Sequence, residues 1–366
     1  MCGNGQLLDY VEKQIALISG MEIEGVIRDK NELKEYGKCS DGTIFLCVSW
    51  HEIRTWLGEI EQTGAKEIYR VPVFVWQYEL PIYDKDRDVI INCAKVSDDK
   101  SDLLYVETHL ADICNLKCKG CMHFSNLATE PNFPSLDSFE NDFRKLAELF
   151  SNIFIIRLMG GEPLLNPQAG EYVQIVRKYF PAAELRIVTN GLLIPQQNQD
   201  LWRVFRECHV AMDISPYPPT IDRIDELTAI LEKEQIPYGK IADRLTHFRK
   251  SLTLHGDHSP EKAVQLCQSS HCHFLRDGKI SKCPLPLLID DFNRAYGKSL
   301  PTGCDIYDIY CEDSRTALAE KLDRFVTLCN FCPDEAAFIE WSRTSHEAAM
   351  EDWVVETKTV CMGTVE

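Results

Sequence analysis

The chain has 366 residues, of which 45% are hydrophobic and 26% are charged, and this composition is typical of a folded globular protein. The 57 acidic residues outnumber the 39 basic ones and give a net charge of −18, which disfavours nonspecific binding to nucleic acid or to anionic membranes. No apolar run approaches the roughly 18 residues that span a bilayer, and the N-terminus does not resemble a signal peptide, so we expect a cytoplasmic protein.

Residues 1–100 predict a small Rossmann-like α/β domain, although its first strand is incomplete. A dinucleotide-binding turn needs a strand in front of its glycines, and only Met1 and Cys2 precede Gly3. A docking role is therefore favoured over nucleotide binding. The acidic run over residues 84–102 is predicted to link this domain to the next. Apolar patterns predict helices near residues 7–18 and 53–60, and strands at 23–27, 44–48 and 67–71.

Residues 101–255 alternate between strand and helix patterns. Repeated β–α units of this length predict a parallel sheet, open or closed into a barrel, with the chemistry at the carboxyl ends of its strands. Ser135 is available to cap one helix, and Pro181 ends another. The predicted strands are residues 103–108, 153–159, 185–189, 210–214 and a fifth near 238–241; the predicted helices cover 136–150, 167–180, 201–205 and 221–231.

The chain contains 16 cysteines, many of them clustered. Disulfides are rare where thiols are kept reduced, so the clusters indicate metal or redox chemistry. Residues 256–345 are irregular and cysteine-rich, which predicts a segment folded around a metal centre, followed by a tail at 346–366. Cys304 and Cys311 fit no metal-binding spacing. The scattered cysteines are expected to be small buried hydrophobic residues: Cys2, Cys39, Cys47, Cys93, Cys208 and Cys361.

A C-x3-C-x2-C triplet, Cys114, Cys118 and Cys121, lies on a loop after the first strand of the second domain. Three thiolates are one short of the four that close an ordinary iron–sulfur cubane. One iron would therefore keep an open position for a ligand, as a catalytic metal centre requires. A zinc ribbon fits less well, because it would pair two C-x2-C knuckles and the triplet supplies one.

The triplet and its flanking residues resemble the radical S-adenosylmethionine (radical SAM) superfamily. Three later segments, each at a strand end, are similar to further motifs of that family: Met159-Gly160-Gly161-Glu162-Pro163, Val188-Thr189-Asn190-Gly191 and Asp213-Ile214-Ser215. The resemblance implies a partial (β/α)6 TIM-like barrel. It also implies a [4Fe–4S] cluster on the three cysteines, which cleaves S-adenosylmethionine (SAM) to a 5′-deoxyadenosyl radical that removes a substrate hydrogen.

The same resemblance assigns cofactor contacts. Gly160, Gly161, Glu162 and Pro163 would receive the methionyl amino group, whereas Thr189, Asn190, Asp213 and Ser215 would flank the ribose and the carboxylate. The chain departs from the family at Gly120, where an aromatic residue commonly packs on the adenine. We expect Met122 or His123 to supply that packing instead.

A second cysteine set follows in the last third of the chain. Asp277-Gly278 predicts a hairpin turn, which would bring Cys272 and Cys283 together at the hairpin base. The arrangement resembles the auxiliary-cluster domain of SPASM or twitch enzymes, in the form that holds one additional [4Fe–4S] cluster. Structural zinc is the alternative. Four ligands are expected from five candidates: Cys267, Cys272, Cys283, Cys329 and Cys332.

Within the family, the second cysteine pattern resembles that of enzymes encoded with carbohydrate biosynthesis. The first hypothesis is therefore an oxidoreductase that dehydrogenates or epimerises a sugar, cyclitol or nucleotide-sugar. The alternatives are a maturase of ribosomally made peptides and a non-catalytic iron–sulfur or zinc scaffold. A flavodoxin or ferredoxin is expected to donate electrons. Glu107, Tyr217 and Lys240 are the candidate catalytic residues, because each lies on or after a strand of the predicted barrel.

Overall fold

A computed structural model of the protein describes residues 1–3, 5–16, 18, 22–34, 42–48, 50–60, 63, 65, 67–96, 102–312, 315–344 and 347–355. Across these ranges, no helix combines the length and the apolar character that a membrane crossing needs. Of the scattered cysteines, Cys2, Cys47 and Cys208 are buried as predicted and Cys93 is partly buried. Cys39 and Cys361 lie outside the described residues, as does most of the predicted tail at 346–366.

A four-stranded sheet with helices packed against it forms the N-terminal unit. Its first three strands are parallel, as in a Rossmann-like domain, and its last strand is antiparallel. The elements are β1 (Cys2–Gly3), α1 (Gly5–Ala16), β2 (Thr43–Cys47), α2 (Trp50–Ile60), β3 (Glu67–Arg70), α3 (Val73–Gln77), the hairpin of β4 (Tyr83–Asp84) and β5 (Val89–Ile90), and β6 (Ala94–Lys95), with a 3₁₀ helix at Lys30–Lys34. The sheet order is β1-β2-β3-β6.

Two predictions for this unit need correction. The strand predicted at 23–27 is reduced to a single bridge from Ile27 to Cys2. The predicted linker at 84–102 folds into the β4–β5 hairpin and β6, although its residues 97–101 lie outside the described part. Gly3 has a positive φ of 140°, and a Cβ there would lie 2.1 Å from the carbonyl oxygen of Cys47. This glycine therefore serves the close approach of two strands.

The second unit is an open α/β sheet of parallel strands, consistent with a partial TIM barrel; in the described residues it does not close. Helices pack over one face around a large apolar core that includes Phe143, Val173 and Phe205. Ser135 caps its first helix by accepting from the amide of Ser138 at 3.1 Å. The elements are β7 (Leu103–Ala111), α4 (Leu136–Leu149), β8 (Ile153–Gly160), α5 (Ala169–Tyr179), β9 (Glu184–Thr189), α6 (Gln199–Glu207), β10 (Ala211–Ile214), α7 (Pro218–Ile221) and α8 (Ile224–Lys233).

The prediction of a continuous strand at 238–241 is wrong. Tyr238 makes a single parallel bridge to Met212. The bridge consists of two hydrogen bonds, from the amide of Met212 to the carbonyl of Pro237 and from the amide of Gly239 to the carbonyl of Met212. The sheet extends instead at its other edge, where a C-terminal strand pairs in parallel with β7. The remaining elements are β11 (His247–Arg249), α9 (Pro260–Gln265), β12 (Phe274–Arg276), β13 (Lys279–Ser281), α10 (Leu285–Tyr296), β14 (Ile306–Asp308), α11 (Arg315–Asp323) and β15 (Phe338–Glu340).

The full order of this sheet is β10-β9-β8-β7-β12-β13-β14, and β11 pairs with β15 in a separate ribbon. The predicted hairpin around Asp277-Gly278 is confirmed, with Phe274 opposite Ser281. Strand β12, which lies between β7 and β13, thus brings the second cysteine set to the side of the barrel next to β7.

The N-terminal unit packs against the amino ends of the barrel strands. Arg70 forms a buried ion pair with Glu184, the first residue of β9, at 2.6 Å. The hydroxyl of Tyr78 donates to the carbonyl of Val210, directly before β10, at 2.6 Å. These contacts cover the floor of the barrel, so the carboxyl ends of its strands remain as the place for a site.

Candidate functional site

The first cysteine loop follows β7 directly and is surrounded by N–H groups that point at sulfur. The amide of Leu116 donates to the Cys114 Sγ at 3.4 Å, and the indole Nε1 of Trp341 donates to the Cys118 Sγ at 3.2 Å. Burial raises the pKa of Cys114 to about 11 and that of Cys118 to about 12. Buried thiols of this kind become thiolates when a metal coordinates them.

Gly120 explains why this loop departs from the expected aromatic residue. Its φ is +65°, and a Cβ at this position would lie 2.8 Å from the carbonyl oxygen of Asp352. A larger residue would therefore push against the 3₁₀ helix Met350–Asp352. The indole of Trp353, next in the chain, donates to the carbonyl of Cys121 at 2.8 Å. The C-terminal segment thus packs directly on the cysteine loop.

The turn after β8 is joined to the same loop through the backbone. The amide of Gly161 donates to the carbonyl of Ala111, and the amide of Glu162 donates to the carbonyl of Ile113, each at 2.9 Å. A Cβ on Gly160 would lie 2.1 Å from the Ala111 oxygen, and one on Gly161 would lie 2.0 Å from the Ile113 oxygen. The two glycines allow the ends of β7 and β8 to touch immediately before Cys114.

Glu162 is fully buried and accepts three hydrogen bonds. The donors are the amide of Leu164 at 3.1 Å, the hydroxyl of Thr189 at 2.7 Å and the amide of Asn190 at 2.9 Å. Burial raises the pKa of Glu162 to about 7, while the three donors act in the opposite direction. Pro163 follows as the first residue of a short 3₁₀ helix. Glu162 therefore ties the end of β8 to the end of β9.

Asn190 extends this network to the cysteines. Its side-chain amide donates to the Asn115 Oδ1 at 2.7 Å and approaches the Cys114 Sγ at 3.7 Å. Ser215 lies at the same level, since its amide donates to the carbonyl of Thr189 at 2.9 Å. The structure thus brings together the predicted residues at the ends of three consecutive strands, next to the cysteine loop.

Asp213 lies within the sheet, before the strand ends that carry Thr189, Asn190 and Ser215, and it forms ion pairs there. Its two carboxylate oxygens form ion pairs with Arg157 at 2.7 Å and with Arg186 at 2.6 Å. Arg186 also pairs with Glu184. Asp213 therefore joins β8, β9 and β10 in this structure, because it lies on β10 itself, whereas Ser215 lies beyond its end.

The three candidate catalytic residues have different surroundings. Tyr217 stacks on Trp341 with a centroid distance of 5.9 Å, and burial followed by the nearby thiols of Cys118 and Cys121 raises its pKa. Glu107 is buried and accepts from the hydroxyl of Tyr105 at 2.5 Å. Burial raises the pKa of Glu107 to about 7. Lys240, by contrast, is exposed.

His123 belongs to a partly buried chain of three polar side chains that the sequence did not indicate. Its Nδ1 lies 2.8 Å from the Nε2 of His109, whose Nδ1 lies 2.9 Å from Asp112. Burial lowers the pKa of His123 to about 3, and the neighbouring His109 adds to this effect. Asp112 also pairs with Arg276 at 2.7 Å. The chain links the cysteine loop to the β12–β13 hairpin.

Four of the five C-terminal cysteines influence one another electrostatically. Burial raises the pKa of Cys283, and the next largest influences include Cys332, Cys267 and Cys329. The fifth, Cys272, lies beside β7, where Glu107, a hydrogen bond with Tyr105 and Arg157 influence it after burial and ahead of Cys267. The hairpin forms as predicted. Cys272 precedes β12 and continues the path of β12 alongside β7, so it contacts side chains of β7.

Among the described residues, no three His, Cys, Asp or Glu side chains lie close enough together to hold a single metal ion. The cysteines are therefore identified as candidate ligands by their thiol chemistry, by the N–H groups directed at them and by their mutual proximity. Three thiols in the first set and four in the second match the donor sets of iron–sulfur clusters with an open and a closed coordination sphere, respectively.

A cavity of about 320 Å³ is lined by cysteines of both sets. From the first cysteine loop and its surroundings, the lining includes Cys121, Met122, His123 and Tyr217. From the second set it includes Cys267, Cys283, Cys329 and Cys332. A volume of this size lies at the lower end of the range of small-molecule sites.

Comparison with known proteins agrees with the family resemblance that the cysteine loop indicated. Residues 109–233, about a third of the chain, match the Radical SAM superfamily. The GTP 3′,8-cyclase of Sulfurovum sp. is 32% identical over 99 residues, which cover 26% of this chain and 30% of that protein. The same enzyme of Microcystis aeruginosa is 29% identical over 127 residues, covering 33% and 37%. The chain thus spans only about a third of the length of these relatives.

Solved structures give weaker similarities. BtrN in complex with AdoMet and 2-DOIA aligns with a TM-score of 0.37 and 15% identity, over 64% of this chain and 98% of BtrN. Streptococcus suis SuiB bound to S-adenosylmethionine aligns with a TM-score of 0.33 and 16% identity, over 45% of this chain and 37% of SuiB.

Proposed function

We propose that this chain, of which residues 109–233 match the Radical SAM superfamily, is a two-cluster oxidoreductase acting on a small polar molecule. A sugar, a cyclitol or a nucleotide-sugar is the proposed substrate, and dehydrogenation is the favoured reaction over epimerisation. The observation that carries the proposal is the cavity of about 320 Å³, which is lined by Cys121 of the first set and by four cysteines of the second set. Its size suits a small molecule better than a peptide chain.

Cys114, Cys118 and Cys121 would hold the first [4Fe–4S] cluster, with the N–H groups of Leu116, Trp341 and Asn190 stabilising negative charge on the sulfur atoms. Cys267, Cys283, Cys329 and Cys332 would hold the second, and Cys272 would remain outside the ligand set. When bound, the first cluster and SAM supply a 5′-deoxyadenosyl radical that removes a substrate hydrogen, and the second cluster supplies a site for the remaining electron.

The residues of the chain would position the cofactor and exclude water. The Gly160–Gly161 turn brings backbone groups next to the cysteine loop, and Glu162 holds that turn to the end of β9. Tyr217 and Trp341 form an aromatic wall beside the first cysteine set. An aromatic wall of this kind would help to protect a reactive radical from water and from side reactions.

A flavodoxin or ferredoxin is the proposed electron donor, and the cytoplasm the proposed location. Peptide maturation is the second hypothesis; no contact among the described residues favours a peptide, and the assay with a peptide pool tests it.

The test is anaerobic reconstitution with iron and sulfide, followed by reduction and incubation with SAM. The wild type should release 5′-deoxyadenosine, and a variant with Cys114, Cys118 and Cys121 replaced by alanine should release none. Cys304→Ala is the matched control, because this cysteine is exposed and belongs to neither set. Equal release by the wild type and the triple variant would contradict the proposal.

The substrate class is tested in the same assay with pools of sugars, nucleotide-sugars and peptides. Stimulated 5′-deoxyadenosine release with a product that is two hydrogens lighter would support dehydrogenation of a small molecule. Stimulation by the peptide pool alone would support the maturase hypothesis instead.

A further inference from the structure

The cavity between the two cysteine sets has an unusual charge for this chain. Arg249, Lys250 and Lys282 line it, and its lining, all of it within the described residues, contains no Asp or Glu. The chain as a whole carries 57 acidic and 39 basic residues. A cation-only wall in an acidic protein focuses positive potential into the cavity.

The three cations are held by backbone carbonyl groups. Lys282 donates to the carbonyl of Asp323 at 2.7 Å, and Lys250 donates to that of Val354 at 3.1 Å. Arg249 donates to the carbonyls of Leu266 and Pro333. In the described part of the chain, none of the three forms an ion pair. Each side chain is thus fixed in place by a neutral group while its charge has no counter-charge from a carboxylate.

Two of these cations lie next to the second cysteine set. Burial raises the pKa of Cys329, and Lys282 acts against that rise; Arg249 does the same for Cys332. A cubane with four thiolates carries about two negative charges, so these two cations would be balanced by the cluster. Lys250 has no such neighbour, and its positive charge is left for another anion.

We propose that the substrate carries an anionic group, a phosphate or a carboxylate, which binds to Lys250. A fixed ammonium forms charge-assisted hydrogen bonds with both kinds of anion. This inference rests on the proposed function only for the placement of the substrate between the two cysteine sets. It adds that the substrate is charged, and so favours a sugar phosphate, a nucleotide-sugar or a sugar acid over a neutral sugar.

The experiment measures the thermal midpoint of the reconstituted full chain in sodium phosphate, sodium acetate and sodium chloride at equal ionic strength. An anion at tenfold its dissociation constant should raise the midpoint by about 2–4 °C through binding to the folded state. Because phosphate also stabilises proteins nonspecifically, the signal is the difference between the wild type and Lys250→Met. The control is Lys233→Met, which removes an exposed lysine on α8.

The shift should persist in Lys233→Met and be lost in Lys250→Met, with unchanged iron content showing that Lys250→Met is folded. A shift with phosphate alone would assign a phosphate-bearing substrate, and a shift with acetate as well would extend the site to carboxylates. Equal shifts in the wild type and Lys250→Met, or no excess shift over chloride with either anion, would overturn the inference. Release of 5′-deoxyadenosine in chloride buffer reports separately on the proposed function.

Discussion

Replacing Gly161 by alanine should displace the first cysteine loop. The new Cβ would lie 2.0 Å from the carbonyl oxygen of Ile113 and 2.7 Å from that of Asp112, and both are backbone atoms. An ordinary contact between a Cβ and a carbonyl oxygen requires roughly 3 Å or more, so the strand end must move by about 1 Å. Ile113 directly precedes Cys114, and the movement would therefore reach the first proposed ligand.

The stability cost follows from the hydrogen bonds that this turn makes. The bonds from Gly161 to Ala111 and from Glu162 to Ile113 would be weakened, at about 1 kcal/mol each. With residual backbone strain, the loss should reach about 2–3 kcal/mol, which lowers the thermal midpoint by about 5–10 °C. Iron content after reconstitution should fall from about eight to about four per chain, because only the second cluster would assemble.

Gly170→Ala provides the matched control. Gly170 lies in α5, and a Cβ there would meet only side-chain carbons at 3.6 Å or more. The same substitution should leave iron content unchanged and stabilise the helix by about 0.5–1 kcal/mol. Differential scanning fluorimetry and an iron assay measure both effects. Wild-type iron content and thermal midpoint in Gly161→Ala would refute the inferred contact between the ends of β7 and β8.

Three further predictions concern charged residues near the proposed site. Glu162→Ala should weaken SAM binding about tenfold or more and also lower stability, since Thr189 loses its buried acceptor; wild-type affinity in isothermal titration would contradict this. Glu107 has a raised pKa of about 7, so its contribution to stability is complete below about pH 4.5 and lost as the pH rises through 7. The thermal midpoint of Glu107→Gln should therefore fall less than that of the wild type between pH 5 and about pH 8, and parallel curves would contradict the assignment. Lys282→Met should lower the reduction potential of the second cluster on the order of 100 mV, because a cation beside Cys329 is removed; an unchanged potential in an EPR-monitored titration would place Lys282 away from that cluster.

Much of the barrel could be predicted from the sequence because its signals are local. The apolar face of α4, its Ser135 cap and the proline after α5 all lie within one helix length of the element that they define. The same holds for the cysteine triplet and for the Gly160–Gly161 turn. Each of these patterns identifies the residues involved from the sequence alone, without knowledge of any tertiary contact.

The contacts that complete the site come from distant parts of the chain and leave no local pattern. The Trp341 bond to Cys118 joins residues 223 positions apart, and the constraint on Gly120 comes from Asp352. β12 has only three residues, too few to show which strand it would join. The position of Cys272 beside Glu107 follows from that pairing, which is why five cysteines appeared equivalent in the sequence.

The central claim is that the two cysteine sets bind separate iron–sulfur clusters and that Cys272 belongs to neither. Iron and zinc should be counted in the variant with Cys114, Cys118 and Cys121 replaced by alanine, alone and with a further Cys272→Ala or Cys283→Ala change. We expect about four irons per chain in the triple variant, no change on adding Cys272→Ala, and almost no iron on adding Cys283→Ala. Zinc without iron in the triple variant, or loss of the remaining iron with Cys272→Ala but not with Cys283→Ala, would contradict the account.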